Sequence, residues 1–234
     1  MTFEKFLETF LGPFFGAFAA YAFMQLSQIS IKRSERFTAY LNAMLSAERF
    51  LANTINALKN DELLIEHYIR ILKERKLFQP LLFTVELDRR IFQFILNPEL
   101  YNDVNYTFDY IRLYNTNIKD FDHKYAETKK LAYNTDKRSL NTYVKNIDNS
   151  LIPTLESIKT YQKNLEEHIL LTLAKLKVFQ DTYRKGKCKY RFHIYLYSNT
   201  YEKPKDYEIL VSQKLTNIKI EGERLLRKTK ADVA

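Results

Sequence analysis

Residues 9–31 read TFLGPFFGAFAAYAFMQLSQISI, a run of 23 positions without a charged side chain. A helix needs roughly 20 mostly apolar residues to cross a hydrocarbon core about 30 Å thick. Phe10, Leu11, Phe14, Phe15, Phe18, Phe23 and Leu26 each favour insertion by about 0.3–0.6 kcal/mol. Gln25, Ser27 and Gln28 fall at the C-terminal end, within reach of the interface, and Pro13 sits near the other end, where a membrane helix tolerates it. A cleaved signal peptide needs positive charge before its apolar run. Here Glu4, Lys5 and Glu8 precede the run and the basic cluster follows it. A buried soluble helix would need apolar faces on all sides to enclose so many Phe residues. The expectation is a transmembrane anchor over residues 1–31.

The flanks set an orientation. Lys32, Arg33 and Arg36 follow the run, against Lys5 alone before it. Basic residues stay on the cytoplasmic side, so the expected arrangement is a single pass through the inner membrane with the N-terminus outside. Cys188 is the only cysteine, which excludes an internal disulfide and fits a reducing compartment. Gly12, Gly16 and Ala20 recur every four residues, a small-residue stripe that lets two membrane helices approach closely and self-associate. Small residues are common in such spans, so chance accounts for the stripe equally well.

Beyond the anchor the chain reads as helix. Only 4 Gly and 5 Pro interrupt 234 residues, too few for a turn-rich sheet fold. Phe37, Leu41, Met44 or Leu45, Phe50 or Leu51, Ile55 and Leu58 recur at helical spacing, giving one helix to about Asn60. Asp61 to Lys76 reads as a second helix with Asp61 as its cap. Gln79-Pro80 is a break, and a short helix is expected from Val85 to Leu96. Asn97-Pro98-Glu99 is a start signal of cap, first-turn proline and acid. It opens a seam of Tyr101, Val104, Phe108, Ile111, Asn115, Ile118, Asp122 and Tyr125, with Asn115 a candidate for fixing bundle register. After a turn at Asn134-Thr135-Asp136, apolar residues run from Leu140 to Tyr183. Pro153 kinks this helix or restarts it from a cap at Asn149 or Ser150.

The composition then changes. Residues 184–191 read RKGKCKYR and RFHIYLY follows from Arg191, the one strand or hairpin candidate, near 189–197. A last amphipathic helix from about Asp206 places Val211, Leu215, Ile218, Gly222 and Leu225 on one face. The fold expected is mainly α. It comprises the anchor 1–31, an elongated antiparallel coiled-coil-like bundle over 32–185, and a basic aromatic segment with its helix over 186–234.

The net charge of +9 fits an anionic partner or a solvated basic surface. Arg184, Lys185, Lys187, Lys189 and Arg191, interleaved with Tyr190 and Phe192, are the candidate anion-binding group. They suit nucleic acid, through phosphate contacts and stacking, or anionic lipid, and a solvated helix end explains them as well. Catalytic chemistry finds no support. His67, His123, His168 and His193 are scattered, without metal-ligand spacing. Cys188 has only sequence proximity to His193, and no two glycines form a phosphate loop. Neither an enzyme nor a cofactor is expected.

The span FLGPFFGAFAAYAF, its flank KRSER and the helix start NPELYNDV resemble uncharacterised bacterial single-span membrane proteins with a helical cytoplasmic domain. Some proteins of that layout are associated with antiphage defence as membrane effectors or accessory subunits. The expectation is an interaction or sensor protein that binds a protein partner or itself. Two alternatives stand: an oligomerising, membrane-permeabilising effector and a membrane-tethered nucleic-acid-binding protein.

Overall fold

The computed structural model describes residues 3–86, 98–133, 137–185 and 203–233, with side chains described except at 3–13, 33, 137 and 223–233. Among these the protein is mainly helical: α1 (Phe3–Lys73), α2 (Pro98–Ala132), α3 (Lys137–Asn146), α4 (Ile152–Lys185) and α5 (Tyr207–Val233). A π-helical turn, Ile147–Leu151, joins α3 to α4. The expected strand near 189–197 lies outside the described residues.

α1 has 71 residues, about 105 Å at 1.5 Å each, and does not break at Asn60. Its buried positions explain why. Phe37, Tyr40, Met44, Ala47, Leu51, Thr54, Leu58, Asp61, Ile65, Tyr68 and Leu72 are all buried, at spacings that alternate three and four. Asp61 therefore belongs to the seam of a continuing helix and is not the cap of a new one. α1 ends in a Schellman turn, in which Lys76 N–H donates to Ile71 O (3.1 Å) and Arg75 N–H to Leu72 O (2.9 Å). Arg75 occupies the left-handed position, φ 59°, which favours glycine. Its guanidinium donates twice to Asp148, at 2.7 and 2.8 Å, and Tyr143 Oη donates to its carbonyl. The end of α1 is thus fastened to the π-turn.

The seam of α2 is shifted from the expected one. Leu100, Val104, Thr107, Ile111, Tyr114, Ile118, Phe121, Tyr125 and Thr128 are buried, whereas Tyr101 and Asp122 are exposed and Asn115 is half-buried. Bulky apolar residues at 114 and 121 outcompete the polar ones beside them for the core. The α4 seam, from Leu155 through Ile158, Leu165, Ile169, Leu173, Leu176 and Phe179 to Tyr183, is buried as expected, while Leu140 is exposed. Pro153 does not restart the helix from a cap at Asn149 or Ser150, because helical structure runs through both positions. The widened turn before it, with Ile152 N–H bonded to Ile147 O, absorbs the carbonyl clash that proline imposes on the preceding turn.

α4 packs against α1, α2 and α5 and runs antiparallel to each. Lys177–Glu48, Lys159–Glu66 and Arg75–Asp148 order it against α1. Lys175–Asp103 and Lys124–Thr154 order it against α2. α1 and α2, however, run parallel: Phe50 stacks on Phe108 at 5.5 Å, and Asp61 meets Tyr114 further along. The antiparallel expectation fails for this pair because the chain does not turn back directly into α2. Residues 76–86 are non-helical, so the part of the expected 85–96 helix that is described is absent, and the rest lies outside the described residues. Tyr207 and Val211 of α5 complete the core.

Candidate functional site

Two regions carry groups whose placement calls for a functional explanation. The first is the strap, residues 76–86, which runs back along the groove between α1 and α2. An extended segment has no helical partners for its backbone, and leaving such groups buried without hydrogen bonds costs about 1–3 kcal/mol each. Side chains from the two helices supply the partners. Tyr125 Oη accepts from Phe78 N–H (2.7 Å) and donates to Phe78 O. Tyr68 Oη accepts from Leu81 N–H (2.9 Å), and Asp61 Oδ1 accepts from Phe83 N–H (3.0 Å). Asn115 closes the series, accepting from Val85 N–H (3.0 Å) and donating to Val85 O (2.8 Å). Asn115 thus clasps the strap as a peptide would, and its expected role in helix–helix register is replaced by this one. Phe78 wedges between Tyr68 and Tyr125, with ring centroids 4.2 and 4.8 Å away. Where residues 83–86 of the strap run beside α1, they border a groove of about 500 Å³ lined by Phe50, Asn53, Ala57 and Phe83.

Asp61 is the chemically unusual member. It is fully buried, and its second oxygen accepts from Tyr114 Oη at 2.7 Å. Among the described residues no ion pair involves it. Burial pushes its carboxyl above the usual range, while the bonds from Phe83 and Tyr114 pull it back. The Tyr114 hydroxyl is itself pushed far up, by burial first and then by Asp61 beside it. Sequence reading missed this group by treating Asp61 as a cap. The available signal was an unbroken alternation of three and four that places Asp61 on the same face as Leu58 and Ile65.

The second region is the N-terminal part of α1. Phe14, Phe15, Phe18, Tyr21, Phe23, Leu26 and Ile31 are all exposed. Among the described residues one helix, near the N-terminus, is long and apolar enough to cross a membrane. Its best window has a mean hydropathy of 1.3, and none of it is buried within the protein. Of the small-residue stripe, a Cβ added at Gly16 meets nothing within 4 Å and Ala20 is exposed, while the side-chain surroundings of position 12 lie outside those described. Lys32 and Arg36 are exposed just before Phe37 enters the core, and the Arg33 side chain is not described. Compared with family models, curated proteins and solved structures, the chain matches none.

The structure brings part of the basic run to this region. Arg184 and Lys185 are the exposed last residues of α4, next to Tyr183, whose ring meets Tyr40 of α1 at 5.3 Å. Lys187, Lys189 and Arg191 lie outside the described residues. Of the histidines, His67 contacts Arg70, His123 lies 3.8 Å from Glu127, the His168 ring lies tilted 5.2 Å from that of Tyr110, and His193 lies outside the described residues. The first three are far apart along the bundle, and no metal-binding group of three occurs among the described residues.

Proposed function

We propose that this chain is a single-pass, membrane-tethered helical bundle of the inner membrane. In this reading residues 9–31 of α1 form the span, and the coiled-coil-like bundle is a cytoplasmic interaction or sensor module. The observation that carries the reading is the exposure of Phe14 (65%) and Phe23 (76%) on a helix whose later seam residues, such as Leu58, are 0% exposed. Water penalises exposed apolar surface by about 25 cal/mol per Å², and a lipid environment removes that penalty. Lys32, Arg33 and Arg36 support the orientation, and the alternating three-and-four seams support coiled-coil-like packing. The reading is one of binding because the sequence assembles no nucleophile with a base.

The test is fractionation of the full-length protein. Resistance to alkaline carbonate extraction, flotation with neutral phosphatidylcholine vesicles, and labelling of Cys188 by an impermeant maleimide only after inner-membrane permeabilisation are the expected results. Release into the carbonate supernatant would overturn the tether. The open surface around Gly16 favours one further reading, self-association of the span, with the permeabilising effector as its extreme form.

A further inference from the structure

We infer that the end of the bundle from which α1 emerges is a docking face for anionic phospholipid headgroups, formed by Lys32 and Arg36 of α1 together with Arg184 and Lys185 of α4. The inference rests on the membrane-tether reading and deepens it. Sequence alone places Arg184 some 150 residues from the span, so only the fold brings the two basic groups together. The contact between Tyr40 and Tyr183 fixes their level. From Lys32 to Tyr40 α1 rises about 12 Å, and α4 runs the other way, so Arg184 and Lys185 come back to about 9–11 Å from the level of Lys32. A Debye length at physiological ionic strength is about 8 Å, and long basic side chains extend their charge further outward.

The acidic groups at this end are partly cancelled. Glu99 is held by Lys203 at 2.8 Å and Asp181 by Lys214 at 2.5 Å. Glu35, Asp206 and Glu208 remain, with Glu208 acting electrostatically on Lys203, and Lys205 adds a further cation at this end. The α4 carbonyl end carries partial negative charge, which orients Arg184 and Lys185 locally but leaves their net charge available to a surface. A cation near an anionic bilayer gains about fivefold in surface affinity. Nucleic acid offers the same phosphate chemistry, but a bilayer next to Lys32 is already in place at high effective concentration.

The experiment uses the full chain in proteoliposomes, with an environment-sensitive fluorophore on native Cys188, three residues beyond Lys185. Quenching by headgroup-nitroxide lipid is read in pure phosphatidylcholine and with one third phosphatidylglycerol. The expected result is at least a doubling of quenching in the anionic bilayer, which falls with added salt. Arg184→Glu with Lys185→Glu should abolish the increase, whereas Lys129→Glu with Lys130→Glu, at the opposite end of the bundle, should not. The salt dependence of the unmodified chain keeps the test valid if a variant folds poorly. Equal quenching in both bilayers, with flotation on neutral vesicles retained, overturns the lipid face alone. Loss of that flotation overturns the tether beneath it. Salt-sensitive binding of an oligonucleotide without any response to anionic lipid assigns the face to nucleic acid and overturns the proposal.

Discussion

The two parts of α1 share one unbroken helix and live in opposite surroundings. From Phe14 to Ile31 large apolar residues point in all directions and stay uncovered. From Phe37 to Leu72 a single face is apolar and every seam position is buried, with charged residues on the remaining faces. Helix geometry is the same in both, so the difference lies in how the apolar side chains are distributed around the helix and in what covers them. A one-sided apolar stripe asks for partner helices. An all-round apolar surface asks for lipid. The comparison also explains where polar groups are tolerated. Asp61 is tolerated in the covered part because Phe83 and Tyr114 bring it hydrogen bonds, and Thr54 because it bonds the Phe50 carbonyl of its own helix.

The comparison can be broken at several depths, most severely at Leu58. Leu58→Ala removes a fully buried side chain and should cost about 2–5 kcal/mol, read by urea unfolding in mild detergent. A change below about 1 kcal/mol would contradict the seam. Next comes Tyr125→Phe, which strips both backbone groups of Phe78 of their partner. A loss of about 1–3 kcal/mol is expected, with faster hydrogen exchange at Phe78 and Leu81.

Asp61→Asn tests the buried carboxylate through its pH dependence. Its folded pKa is raised above the unfolded value of about 3.9. The native state therefore holds the proton more tightly, and stability is greatest below the unfolded pKa. It is lost as pH rises through the folded value. The asparagine variant should lack this loss and be the more stable protein at pH 7, with the two curves converging in acid. Parallel curves would show that Asp61 is not the responsible group. The smallest effect on the bundle belongs to Gly16→Ile, within about 0.5 kcal/mol of the parent, because the added side chain meets only open space. The same substitution should weaken span association in a bilayer two-hybrid reporter, and an unchanged signal would remove Gly16 from any interface.

Much of the helical layout was legible because periodicity is a local property. The helix that runs on from Pro98 and the α4 seam follow from local signals and spacing, while the expected cap at Asn97 and stop at Gly186 lie outside the described residues. The errors share a cause. Asp61 looked like a cap, and Asn115 and Asp122 looked like seam members, because a polar residue in sequence does not reveal whether a partner waits for it. Tyr114 and Phe121, one residue away, took the core positions instead. The clasp was invisible for the same reason: Tyr68, Asp61, Asn115 and Tyr125 are separated by up to 64 positions and converge only on the strap.

The sequence by itself determined that the chain is mainly helical, that an uncharged apolar run lies near its start, and that basic residues follow that run. These properties depend on neighbours within a few turns. Only the tertiary structure decided that α1 and α2 run parallel with the strap clasped between them, and that Arg184 follows a tyrosine packed on Tyr40, near the basic residues beyond the apolar run. Those depend on which distant backbone groups must find hydrogen bonds and which faces must be covered, conditions that residues meet only after the helices have packed.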